Sequence, residues 1–187
     1  MNRATSLIAL LVAAPLAVGC PIPQTVPEYP KGTSVTPPRI VAESARPLAA
    51  LIRIPAGCPT APEQVLTAEI VYGAVVEPLE ARWFVDYDPA DMLRRDPVDS
   101  PVEIPTIAQL DPNAPDPTRP ILPWTFNPYA FGAAVGTVHV VELVVSNGFY
   151  PYPEATPILP LPNRTPLPDF ETQVYRWVFL LTNDPCP

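Results

Sequence analysis

The sequence predicts an all-β protein, a single sandwich of short strands joined by long proline-rich loops. Three observations carry that expectation. Proline supplies 31 of the 187 residues. Inside a helix each would lose a hydrogen bond and clash with the preceding turn, which excludes a helical bundle. The prolines leave gaps, and a central strand must lie in such a gap because proline cannot donate to the ladder. Each gap is rich in Val, Ile, Tyr, Phe or Trp, and its residues alternate with a period near two rather than 3.6. Disorder throughout is excluded as well, since 48% of residues are apolar and three are tryptophan, enough to build a core. The length suits one domain.

Taken in order, a short strand is expected at 39–43, then strands within 48–54 (LAALIRI) and 63–77 (EQVLTAEIVYGAVVE). In 79–88, Leu79, Ala81, Trp83, Val85 and Tyr87 share one face, opposite Glu80, Arg82, Phe84 and Asp86. A weaker strand is expected at 102–107. Within 129–150, His139, Val141, Leu143 and Val145 point one way, and Val138, Val140, Glu142, Val144 and Ser146 the other. Within 169–184, Tyr175, Trp177, Phe179 and Leu181 alternate with Val174, Arg176, Val178 and Leu180. Ser146-Asn147-Gly148 and Asn183-Asp184 read as turns.

About seven short strands with a tryptophan in a middle one resemble the immunoglobulin-like and fibronectin-like modules of bacterial surfaces. The residues behind the resemblance are Arg82 to Tyr87 as a third strand and Val138 to Gly148 as a sixth strand and turn. It is a likeness of architecture and implies no activity. A jelly roll or small barrel is the alternative that the pattern leaves open. The connections 88–128 and 150–170 carry ten and seven prolines, and loops of that length are uncommon without a function or disorder.

The N-terminus reads as an address. Arg3 is followed by an apolar run from Leu7 to Val18, too short to span a bilayer and ordered like a secretory signal. Leu16-Ala17-Val18-Gly19-Cys20 resembles the lipobox of bacterial lipoproteins, with Leu one place earlier than usual. The resemblance implies cleavage after residue 19, lipidation of Cys20 and a stable membrane anchor. With Pro21 rather than Asp after the cysteine, it implies the outer membrane of a Gram-negative cell. The organisation expected is therefore a signal peptide at 1–19, a proline-rich tether at 20–38 and a sandwich at 39–187. As polyproline II at roughly 3.1 Å per residue, the tether would reach about 60 Å; a leader with no spacing role is the other reading. Loss of residues 1–19 removes one arginine, so the charge moves from −8 to −9.

With Cys20 committed, Cys58 and Cys186 remain as an even pair in an exported chain, which points to a disulfide. Two free thiols or a metal pair are the alternatives, and no histidine stands near them to complete a zinc site. The acidic balance argues against nucleic acid as a partner. One histidine and one lysine leave few general bases, and GxSxG, HExxH and glycine-rich phosphate loops are all missing. Asp86, Asp88, Asp91, Asp96 and Asp99 suggest calcium, but EF-hand spacing puts Asp91 and Pro97 where Gly and Glu belong, so solvated turns are the plainer reading. No metal and no cofactor are implied.

Trp124, Tyr129, Tyr150 and Tyr152 lie on or beside proline-stiffened loops and are candidate contact residues; the competing reading makes them plugs at the ends of the sandwich. The function expected is a structural or protein-interaction module of the cell envelope without catalysis, meeting the membrane at Cys20 and another envelope protein through its loops. A carbohydrate-binding module stacking glycans on those four aromatics is the alternative.

Overall fold

Strands form where proline leaves room for consecutive β-branched and aromatic residues. The computed structural model describes residues 37–186 apart from 61, 75–76, 92, 111–112, 114–117, 122 and 151–163. The segments expected as signal peptide and, nearly all of it, as tether, together with Cys20 and Tyr152, lie outside the described residues. Among the described residues nine strands follow in order: β1 (Arg39–Arg46), β2 (Ile52–Pro55), β3 (Gln64–Val71), β4 (Leu79–Val85), β5 (Val102–Ile104), β6 (Thr118–Pro120), β7 (Trp124–Phe126), β8 (Val138–Ser146) and β9 (Thr172–Thr182). One turn of helix, α1 (Ile107–Leu110), lies between β5 and β6.

They build two sheets, so the protein is an all-β sandwich. In the first sheet β1 pairs with β3, whose far edge is shared by β6 and then β7. The second has the order β2-β9-β8-β4-β5. The run β4-β8-β9 repeats the C–F–G order of immunoglobulin-like sandwiches, and β1-β3-β6 repeats A–B–E. The chain changes sheets between β1 and β2, where the Arg46–Pro47 peptide is cis. β2 then runs parallel to the end of β9.

The alternation read from the sequence sets the core. Leu66, Ile70, Trp83, Leu143, Trp177 and Phe179 are buried between the sheets. Trp83 stacks on Trp124 at 5.0 Å and lies 5.7 Å from Trp177, so a tryptophan group occupies the centre where antibody domains set their inter-sheet disulfide. The opposite face of β4 and β8 is buried too. Phe84 and Val144 form a second cluster with Phe149, packed by Tyr87 and Val174.

The differences from expectation are local. The connection 88–128 holds β5, α1, β6 and β7. The strand expected at 102–107 is present but ends at Ile104; three-residue strands tolerate proline at their ends, so proline density hid β6 and β7. Residues 48–51 are not strand; pairing begins at Ile52. Ahead of β8, Pro128–Ala130 makes a 3-10 turn capped by Asn127, whose Oδ1 accepts from the Tyr129 amide at 3.0 Å.

Candidate functional site

Two positions that interrupt apolar strands organise the outer side of the second sheet. Glu142 sits in the middle of β8 directly opposite Arg176 of β9. The carboxylate is buried, accepts from Arg176 Nε at 2.6 Å, and meets Arg164 Nη1 at 2.8 Å in an ion pair without hydrogen-bond alignment. Arg164 also lies over the Tyr87 ring. Burial pushes the Tyr87 phenol up, and Arg164 opposes that rise. Arg82 of β4 is buried as well. It donates to Glu80 at 2.5 Å and to the Tyr150 carbonyl at 2.6 Å, and stacks on Phe149. Phe149 bridges to Pro166, and the Leu167 amide donates to the Gly148 carbonyl at 2.8 Å. The described ends of the 150–170 connection are therefore straps packed on this face where β4 and β8 carry Arg82 and Glu142.

The candidate aromatics divide. Trp124 has one face on Trp83 and donates its indole N–H to Asp99 at 2.5 Å. The Tyr129 hydroxyl donates to the Pro55 carbonyl at 2.5 Å and accepts from the Cys58 amide at 3.1 Å, bracing the loop of the disulfide. Cys58 and Cys186 are bonded, with Cα atoms 5.7 Å apart. The bridge ties the loop after β2 to the chain beyond β9. Tyr150 is half-buried and contributes its carbonyl to Arg82.

His139, on the core face of β8, is buried with an oxygen against each ring nitrogen: Asp86 Oδ2 at 2.7 Å and the Gly132 carbonyl at 3.0 Å. Asp86 adopts φ +50 and takes the Val140 amide on its other oxygen. Asp88 and Asp91 accept the amides of Ala90 and Leu93, which are Asx turns of the kind expected before proline-rich loops. Among the described residues no three His, Cys, Asp or Glu side chains group as metal ligands.

A further polar group closes the end of the sandwich where β3, β6 and β8 meet. Buried Arg119 donates to the carbonyls of Glu77 and Ala74 and lies over Tyr72; burial lowers its pKa. The Tyr72 hydroxyl donates to Glu77 and accepts from Asn147 at 2.8 Å. Burial and then the Glu77 bond push that phenol up to about 12. Beside it, an open groove of about 400 Å³ runs past Glu80, Glu103, Asn147 and Phe149.

The charged pairs were open to inference, because a lone Glu in VVELVV and a lone Arg in VYRWV become cross-strand neighbours once those strands pair. Arg119 and Tyr72 gave no such signal; the proline-bounded strand that carries Arg119 was itself hidden. No protein-family model, curated protein or solved structure matches the chain.

Proposed function

We propose that the chain is a lipid-anchored protein of the bacterial cell envelope, held in the outer membrane through Cys20, whose sandwich works as a structural, protein-binding module rather than a catalyst. The observation that carries the reading is the Cys58–Cys186 bridge. A disulfide that ties down a domain's last segment suits an oxidising compartment, and so an exported chain. The engagement of both His139 ring nitrogens within the fold and the ion pairs that hold Glu142 are further support, since these side chains serve the sandwich itself. The glycan reading gains less: one face of Trp124 is covered by Trp83, and the Tyr129 hydroxyl is spent on the disulfide loop.

Two measurements test the proposal. Labelling with a palmitate analogue should mark the wild type and not Cys20→Ser, which should also leave the membrane fraction; a labelled Cys20→Ser chain sinks the anchor. Crosslinking of the membrane-bound protein followed by mass spectrometry should return one specific envelope protein. That capture should disappear when residues 151–163 are exchanged for Gly/Ser of equal length, which spares Tyr150 and Arg164. Capture that survives the exchange removes this connection as the docking element.

A further inference from the structure

The aromatic core of the sandwich is a continuous path as well as a packing unit. Tyr175 of β9 meets Trp177 edge-on, with ring centroids 4.6 Å apart. Trp177 lies 5.7 Å from Trp83, and Trp83 stacks on Trp124 of β7 at 5.0 Å. These separations fall in the contact range of aromatic pairs. The path takes in all three tryptophans of the chain. Its middle is sealed, with Trp83 2% and Trp177 0% exposed. Its ends, Trp124 and Tyr175, are half-buried and stand on strands of different sheets. The indole groups also differ in what they face. The Trp124 N–H donates to the Asp99 carboxylate at 2.5 Å, a base that can take its proton. The Trp177 N–H donates to the Pro47 carbonyl at 3.2 Å, which cannot. Beyond Trp124 the path stops at Phe126, 6.1 Å away, because a phenyl ring is far harder to oxidise than an indole.

We infer that these four rings carry one-electron oxidation through the core, from Trp124 to Tyr175. An oxidising radical arriving from solvent meets Trp124 first, since the other two indoles are buried. The radical takes one electron and leaves as an anion, and the indole radical cation lodges its proton on Asp99. Trp83 then returns an electron to Trp124, which takes its proton back. Trp177 supplies Trp83, and Tyr175 supplies Trp177. The hole does not settle on Trp177, whose N–H faces only a carbonyl. It settles on Tyr175, because an oxidised phenol gives its proton to water and, at neutral pH, the phenoxyl radical lies below the indolyl radical. The balance is one oxidant reduced, one tyrosine oxidised to phenoxyl and one proton released, with the tryptophans unchanged. The core is thus spared, and the radical ends at a half-buried ring that an ene-diol reductant such as ascorbate restores by returning an electron and a proton. This activity needs no protein partner and is independent of the binding role.

Pulse radiolysis of the disulfide-bonded chain at neutral pH is the test, with the azide radical as oxidant because it takes an electron from indole in preference to phenol. The expected result is an indolyl absorption that decays as a phenoxyl absorption grows in, with one first-order rate constant that does not change with protein concentration. Tyr175→Phe keeps a ring in place and should abolish that growth, leaving the indolyl radical to decay between molecules. Trp177→Phe, checked for folding by its melting transition, should abolish the growth too while the prompt indolyl signal at Trp124 remains. An indolyl signal that decays only between molecules in the wild type overturns the inference. So does phenoxyl growth that persists in Tyr175→Phe, which would send the hole to another tyrosine, or growth undiminished in a folded Trp177→Phe, which would bypass the core.

Discussion

Tyr72 and Glu142 are the residues at which burial and charge decide most. Tyr72 is pushed from 10.0 to about 12, so the folded chain holds the phenol proton more tightly than the unfolded one. Below the lower value both states keep the proton, and the stabilisation is complete. Above it the unfolded chain ionises first, so stability falls with rising pH until the folded phenol also ionises, by roughly 2 kcal/mol in all. Denaturant titrations across that window should show the decline. Tyr72→Phe should flatten it while costing about 1 kcal/mol at neutral pH through the lost bonds to Glu77 and Asn147; an unchanged alkaline slope would free Tyr72 of the role. Glu142→Gln leaves Arg164 and Arg176 without their common carboxylate. Both arginines reach solvent, so the cost should be about 2 kcal/mol rather than the larger penalty of a sealed pair, read as a lowered urea midpoint. Glu142 was legible as the one charge inside an apolar run. Its second partner was not, because Arg164 arrives from a connection whose course no periodicity encodes.

Hydrogen-bond direction along the second sheet explains why prolines crowd its edge. The Asp86 amide donates to the Val140 carbonyl, and the Trp83 carbonyl accepts from the Val98 amide. Odd residues of β4 therefore turn their backbone groups toward β5, where Leu79 opposes Ile104 and Ala81 opposes Val102. Glu103 then points its N–H and C=O outward, as do the flanking positions 101 and 105, both proline. A strand docking there meets one amide donor instead of three, which blunts the edge against aggregation. Replacing Pro101 and Pro105 by Thr should increase light scattering on heating without lowering the melting midpoint in proportion; unaltered scattering would show that the prolines serve only the turns. The strap is fitted as closely. A Cβ on Gly148 would come within 2.3 Å of the Phe170 ring, so Gly148→Ala should cost roughly 1–3 kcal/mol and be visible by calorimetry. Proline gaps revealed the long strands because those strands need uninterrupted donors. They concealed β6 and β7, which at three residues each need few.

Over the whole molecule, the disulfide couples the fold to the compartment. Cys58 and Cys186 are 128 residues apart, so their bond closes most of the domain into one loop and removes entropy from the unfolded chain. The loop model puts that at about 4–5 kcal/mol as an upper figure, a large share of the roughly 5–15 kcal/mol that holds a domain together. The pairing was legible from cysteine parity together with the expectation of an exported chain. What the sequence did not convey is that the Tyr129 hydroxyl holds both the Pro55 carbonyl and the Cys58 amide, so one half of the bridge is positioned by side-chain contacts and not by the bond alone. Two measurements separate these contributions. Residues 20–187 made in a reducing cytosol should melt about 10 °C below the oxidised form, since each kcal/mol is worth roughly 2–4 °C at this size. Oxidation of the purified chain should recover the difference without a folding catalyst, because the cysteines are already side by side. Tyr129→Phe should slow that recovery while leaving the final stability of the oxidised protein within about 1–2 kcal/mol of wild type. A reduced chain that melts with the oxidised one would mean that the sandwich is held by its tryptophan core and charged straps alone, and the strongest support for an oxidising home would be lost with it.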